Sequence, residues 1–228
     1  MKNPFSAAML LFPSLILFNS TLLAAEFAFS GYASIVAGMT MDKNTSFLNG
    51  NVGSGVYTDE LEFAPESLMA LQADIDLGAG LSATTQAVAR GALDYNVAFE
   101  WAYITYKLSP KWTLQTGRKG DVLYTYSNYR DVGYSYYQMR LPTIMYTTPF
   151  NAYDGINLLY RSKVSSLNSK VNIYYGNVDT PDPVNRNLGS IEAHMIIDDF
   201  HGVVWKLSKG WWATRLGVHR GSIAISAD

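Results

Sequence analysis

Trp101-Ala102-Tyr103-Ile104-Thr105-Tyr106-Lys107-Leu108 decides how this chain is read. A β-strand rotates its side chains by half a turn per residue. Ala102, Ile104, Tyr106 and Leu108 therefore share one face, and Trp101, Tyr103, Thr105 and Lys107 share the other. The same period recurs on either side of this stretch. Leu71, Ala73, Ile75 and Leu77 alternate with Gln72, Asp74 and Asp76, and Trp212, Thr214, Leu216 and Val218 alternate with Arg215, Gly217 and His219.

Nine stretches of this kind can be marked out: 27–35, 71–77, 81–90, 101–108, 112–117, 155–161, 170–175, 202–207 and 212–220. Their joins alternate in length. Those at 78–80, 109–111, 165–168 and 208–210 are short, whereas 39–65, 120–151 and 177–190 are long, with 91–97 the shortest on the long side. Short turns at one end and long loops at the other suit a barrel inserted from one side of a membrane. A soluble β-sandwich acting as a secreted binding or adhesion module is the alternative, but it has no reason to segregate its loops so strictly.

The first 25 residues carry a different signal. Lys2 supplies a positive start, residues 7–18 are apolar, and 19–25 are mostly small or polar. An apolar run of about a dozen residues suits an export signal and falls short of the roughly 20 that a spanning helix needs. Residues 1–25 are thus expected to be a signal peptide cleaved after Ala25, leaving 26–228 as one β-barrel unit. No later stretch is long enough for a helical span. The fold class expected is all-β, a transmembrane antiparallel barrel.

Composition narrows the function. The chain has 16 Tyr, 10 Phe and 5 Trp, which fits aromatic girdles at two membrane–water boundaries. A net charge of -2 argues against a nucleic-acid partner, and the lack of Cys removes disulfides and thiolate metal sites. Single-chain bacterial barrels carry an even number of strands, and closure pairs the last strand with the first. Nine strands, and a C-terminal segment 221–228 without an aromatic end, therefore read as the N-terminal part of a larger barrel.

Gly117-Arg118, Leu141-Pro142 and Asp154-Gly155 carry a family resemblance. A strand ending in Gly-Arg, a long loop with a Leu-Pro step and a return through Asp-Gly resemble the Gram-negative outer-membrane porins, particularly those of marine gammaproteobacteria. The strand-and-turn rhythm extends the likeness over most of 26–228, and the missing second half is the departure. The resemblance implies that the loop of about 118–154 folds into the barrel and narrows it, and that a full-length chain forms a homotrimer.

The residues of that loop agree with such a role. It is rich in Tyr, whose ring packs against a wall while its hydroxyl meets water. Arg118, Lys119, Arg130 and Arg140 outnumber Asp121 and Asp131 there, and rings of charge set ion preference in a pore. These six are the candidate constriction residues. Asp74, Asp76, Arg90 and Arg215 are candidate residues of the inner wall.

Other constellations are weaker. Gly78-Ala79-Gly80-Leu81-Ser82-Ala83 has the glycine spacing of a dinucleotide-binding turn, but strand formers follow it where a helix is required. His194, Asp198, Asp199 and His201 lack a third ligand at suitable spacing, and Asp59, Glu60, Glu62 and Glu66 read as a solvated loop. With three His, no Cys and no Gly-x-Ser-x-Gly elbow, no enzymatic site or cofactor is expected. The sequence reads as a porin-like channel for passive diffusion of small hydrophilic solutes and ions. Its expected surroundings are a lipid bilayer and lipopolysaccharide in the outer membrane. An anion- or phosphate-selective channel is the alternative suggested by the basic loop.

Overall fold

The computed structural model describes residues 25–48, 55–132, 135, 137, 141, 143–146, 148, 150–181 and 193–227. Residues 1–24, on which the expected signal peptide falls, Arg140, Pro142 and most of the 177–190 loop lie outside the described residues.

Nine strands form one antiparallel sheet, each paired with its neighbours in chain order. They are β1 (Glu26–Ser34), β4 (Leu68–Gly78), β5 (Leu81–Arg90), β6 (Val97–Lys107), β7 (Trp112–Gly120), β8 (Ala152–Val164), β9 (Leu167–Pro181), β10 (Ala193–Lys209) and β11 (Trp212–Ala227). All nine expected strands are present, most of them longer than the alternation suggested. A small hairpin of β2 (Phe47–Leu48) and β3 (Val56–Tyr57) interrupts the first loop. The 120–151 stretch is less irregular than expected, since it contains a 3-10 turn at Ser127–Tyr129 and one helical turn, α1 (Thr143–Tyr146). Among the described residues no helix is long and apolar enough to cross a membrane.

The sequential antiparallel order puts every short join at one end of the sheet. Ala79 and Gly80 both take positive φ and close the β4–β5 hairpin in two residues, the conformation that matches strand twist. The β6–β7, β8–β9 and β10–β11 joins lie at the same end, and the connections after β1, β5, β7 and β9 lie at the other.

Register locks the two faces across all nine strands. Phe29 pairs with Ala73, Ala73 with Thr85, Thr85 with Ala102, and Ala102 with Arg118. Arg118 pairs with Asp154, Asp154 with Asn177, and further along the same face Ile173 pairs with Val203 and Val203 with Val218. This face exposes Phe27, Phe29, Leu71, Phe99, Ile104, Ile156, Ile173, Val203, Leu216 and Val218. Tyr106, Trp112, Tyr160, Trp205 and Trp212 lie on it near the short turns, with Trp112 and Tyr160 ring to ring at 4.5 Å. Strands of 10–11 residues in β4, β5 and β6 have the length of tilted spanning strands.

Besides a register shift beside the β4–β5 turn, two bulges interrupt the alternation within the strands. In β6 the pairing slips between Gln86 and Ala87, so that Glu100 and Trp101 both turn to the polar face. In β10 the slip lies between Ile197 and Phe200, where Asp199 takes φ 53°.

Gly155 of β8 and Gly176 of β9 are direct partners, and a Cβ on either would collide with the other strand's backbone. The strands approach this closely because neither residue has a side chain. Gly176→Val should therefore destabilise the fold by about 1–3 kcal/mol through overpacking. A lowered urea midpoint for Gly176→Val, with little change for Ile173→Val at an exposed position of the same strand, is the expected pair of measurements.

Candidate functional site

The face opposite the apolar one is polar and internally hydrogen-bonded. Gln72 Nε2 donates to Asp74 at 2.7 Å, Gln86 Nε2 to Gln72 at 3.1 Å, and Thr84 Oγ1 to Asp74 at 2.7 Å. Further along, Gln115 Nε2 donates to Thr105 at 3.2 Å, Asn157 Nδ2 to Gln115 at 2.9 Å, and Arg161 Nη1 to Thr113 at 3.2 Å. The network runs across adjacent strands because the register brings same-face residues opposite one another.

The loop between β7 and β8 lies over this polar face. Its neck is closed by the Asp121 amide donating to the Asn151 carbonyl at 2.9 Å. Its two ends supply Val122, Leu123 and Phe150, joined by Tyr153 at the start of β8, to a cluster with Tyr174, Val178, Met195, Ile197, Phe200 and Val204 of β9 and β10. Burying each large apolar side chain contributes about 1.5–3 kcal/mol, so the loop is a packed layer. The loop tyrosines pack mutually, Tyr124 on Tyr146 at 5.1 Å and Tyr126 on Tyr129 at 5.7 Å. Burial pushes the Tyr146 phenol above its ordinary pKa, keeping its hydroxyl neutral.

Ionic anchors hold the loop from two sides. Arg90 of β5 bonds Asp131 at 2.7 Å and lies 3.5 Å from Glu100, the carboxylate that the β6 bulge turned inward. Arg215 of β11 donates to the backbone carbonyls of Leu123 and Val122. Within the loop, Arg130 bonds the fully buried Asp121 at 2.8 Å, and also reaches Thr148 at 3.3 Å. Between the loop and β1, β4, β5 and β6 a cavity of about 210 Å³ remains, lined by Ser30, Tyr32, Gln72, Gln86, Trp101 and Tyr129 among others.

The candidate residues divide under this geometry. Arg118 is a correction: it sits on the apolar face with Asp154 at 3.1 Å, because β7 continues to Gly120 and alternation turns Arg118 outward. Lys119 is on the polar face, 5.0 Å over the Tyr103 ring. Asp121, Arg130 and Asp131 lie in the loop over the polar face, but each is engaged in an ion pair and none stands as a free pore charge. Arg140 lies outside the described residues. Asp74, Asp76, Arg90 and Arg215 all belong to the polar face.

Glu26, Glu100, Arg161, Lys170 and Lys206, which the sequence pattern did not single out, are also on the polar face by register. Strict alternation from Asn157, Asn172 and Val204 would have found three of them. The weaker constellations resolve plainly. Residues 78–81 form the hairpin turn, His194 pairs with Asp179 at 2.6 Å on the apolar face, and Tyr175 donates to Asp199 at 2.6 Å. Glu62 and Glu66 accept from Thr58 and Tyr57. Among the described residues no group of His and carboxylates has a metal-holding arrangement.

In comparisons with known proteins, no family model and no curated protein matches this chain.

Removing one partner of a buried ion pair leaves an uncompensated charge, a loss of about 3–5 kcal/mol. Arg130→Met should therefore loosen the loop by leaving Asp121 bare, while the paired change Arg130→Met with Asp121→Leu should recover most of the loss. Proteolysis within 121–150 is the measure, and the single variant should be cut much faster than the double.

Proposed function

We propose that this chain builds the wall of a water-filled transmembrane β-barrel of porin type, through which small hydrophilic solutes and ions diffuse passively. One observation carries the reading. The exposed face of a single nine-stranded sheet carries large apolar side chains from β1 to β11, while the opposite face carries the hydrogen-bonded polar network and is covered by a loop. Hydrocarbon is the solvent that suits the first face and water the solvent that suits the second. Aromatic side chains near the short turns of the apolar face suit a membrane–water boundary. A soluble sandwich would cover the apolar face with a second sheet, and the described strands build one large sheet only.

On this reading the segment ahead of β1 is an export signal, the location is the outer membrane, and the loop narrows the passage. The gap lined by Tyr32, Gln72, Gln86, Trp101 and Tyr129 supports that role for the loop. No covalent chemistry is involved. Each edge strand must be paired in the bilayer, because open edges cannot sit in hydrocarbon.

The chain has no native cysteine, so single cysteines report their surroundings without background. Cysteines at 103 and 105 in membrane-embedded protein should react with a water-soluble maleimide, and those at 102 and 104 should not. Uniform labelling along β6 would remove the lipid-facing assignment. Charge should discriminate in the same way. Ile104→Arg should lower folding stability in bilayers by about 2–4 kcal/mol near the midplane, and Thr105→Arg should be near neutral.

A further inference from the structure

Four basic side chains face one another across four successive strands. Arg161 of β8 pairs with Lys170 of β9, Lys170 with Lys206 of β10, and Lys206 with Arg215 of β11. All four are on the polar face, in one row perpendicular to the strands. With strands about 4.8 Å apart, the row spans roughly 14 Å. Like charges directly opposite one another are destabilising in a sheet, so a row of four is a standing electrostatic cost.

No ion pair among the described residues relieves it. Among the described residues no carboxylate lies within ion-pair distance of Arg161, Lys170, Lys206 or Arg215. Asp154, Asp179 and Asp198 of the same strands lie on the apolar face by register, and Asp199 is turned there by the bulge to meet Tyr175. Of the overlying loop's carboxylates, Asp131 bonds Arg90 and Asp121 bonds Arg130, so that Asp121 attracts Arg215 only at longer range. Arg161 and Lys170 are exposed and Lys206 and Arg215 half-buried, so the row is both open to solvent and partly walled. Arg215 is further oriented by the two loop carbonyls.

We infer that this row is a binding site for phosphate-bearing solutes, which places the selectivity of the polar face at Arg161, Lys170, Lys206 and Arg215 and away from the loop. Adjacent cations at sheet spacing can share one phosphate, each giving a charge-assisted hydrogen bond, and an anion held there removes the repulsion along the row. A molecule with two linked phosphates covers more of the row than one with a single phosphate. The inference builds on the channel reading, which makes this face the wetted one.

The test uses the full chain in detergent, with radiolabelled inorganic phosphate and pyrophosphate in equilibrium dialysis. The unaltered chain should retain pyrophosphate more tightly than phosphate. Lys170→Gln with Lys206→Gln should weaken retention of both about tenfold, the loss of one to two charge-assisted hydrogen bonds. This variant relieves repulsion and should fold at least as well. Lys170→Arg with Lys206→Arg should keep the retention, and Lys107→Gln, on the same face outside the row, should leave it unchanged. Equal retention by the unaltered and Gln-substituted chains would overturn the site. Maleimide labelling of cysteines at 102 to 105 in bilayers addresses the channel separately: phosphate retention without alternating labelling would end the channel reading alone, and alternating labelling without retention would end the site alone.

Discussion

The period of two, carried from strand to strand by register, is the constraint on which the rest of this molecule depends. Once Phe29, Ala73, Thr85, Ala102 and their successors are held opposite one another, every strand residue belongs to one of two surfaces. The apolar surface is then continuous because each strand contributes its apolar half to the same side. The polar surface is continuous for the same reason, and its side chains reach one another across strands. A slip of one residue anywhere would invert both surfaces beyond that point, so each half of the pattern stabilises the other's register.

The two bulges show where the rule is broken and what the break does. The β6 bulge turns Glu100 inward, where it lies beside Arg90, and Arg90 in turn holds Asp131 of the loop. The loop is thus held to β5 by an ion pair whose surroundings depend on one extra residue in β6. At the other side of the sheet, Arg215 of β11 holds the loop through backbone carbonyls. Between these anchors, apolar residues of β9 and β10 occupy the polar face where the loop ends dock on it. The loop has its own packed core for this reason, and its charges are spent on fixing it.

Those same features explain what was legible in the sequence. The number and order of strands, the short joins and the partition of Asp74, Asp76, Arg90 and Arg215 follow directly from alternation. The start of β6 at Val97 did not, because alternation fails at Glu100 and Trp101 and the strand looks as though it begins after them. The first half of β10 was hidden likewise by the bulge at Asp199. Arg118 was misplaced because Gly117, with φ 122°, resembles a strand end when it is an interior residue of β7. The ion pairs Arg130–Asp121 and Arg90–Asp131 join residues near and far in sequence, and composition alone counted their charges as free.

With the loop charges paired, the electrostatics of the polar face come from the strands themselves, and they are unevenly divided. Glu26, Asp74, Asp76 and Glu100 lie on β1, β4 and β6, with Glu26 and Asp76 direct partners, whereas Arg90 and Lys107 are the basic residues on that half. On β7 to β11 the described residues of the polar face include Lys119, Arg161, Lys163, Lys170, Lys206 and Arg215 and no carboxylate. If the sheet closes as proposed, its acidic half and basic half direct a field across the enclosed space, and low-dielectric walls keep that field from being screened as it would be on an open surface. The loop lies between the halves, tied by Arg90 on the first and Arg215 on the second. On the proposed channel reading, an ion moving past it would meet acidic groups on one flank and the basic row on the other, so anions and cations would be guided along different strands of the same wall.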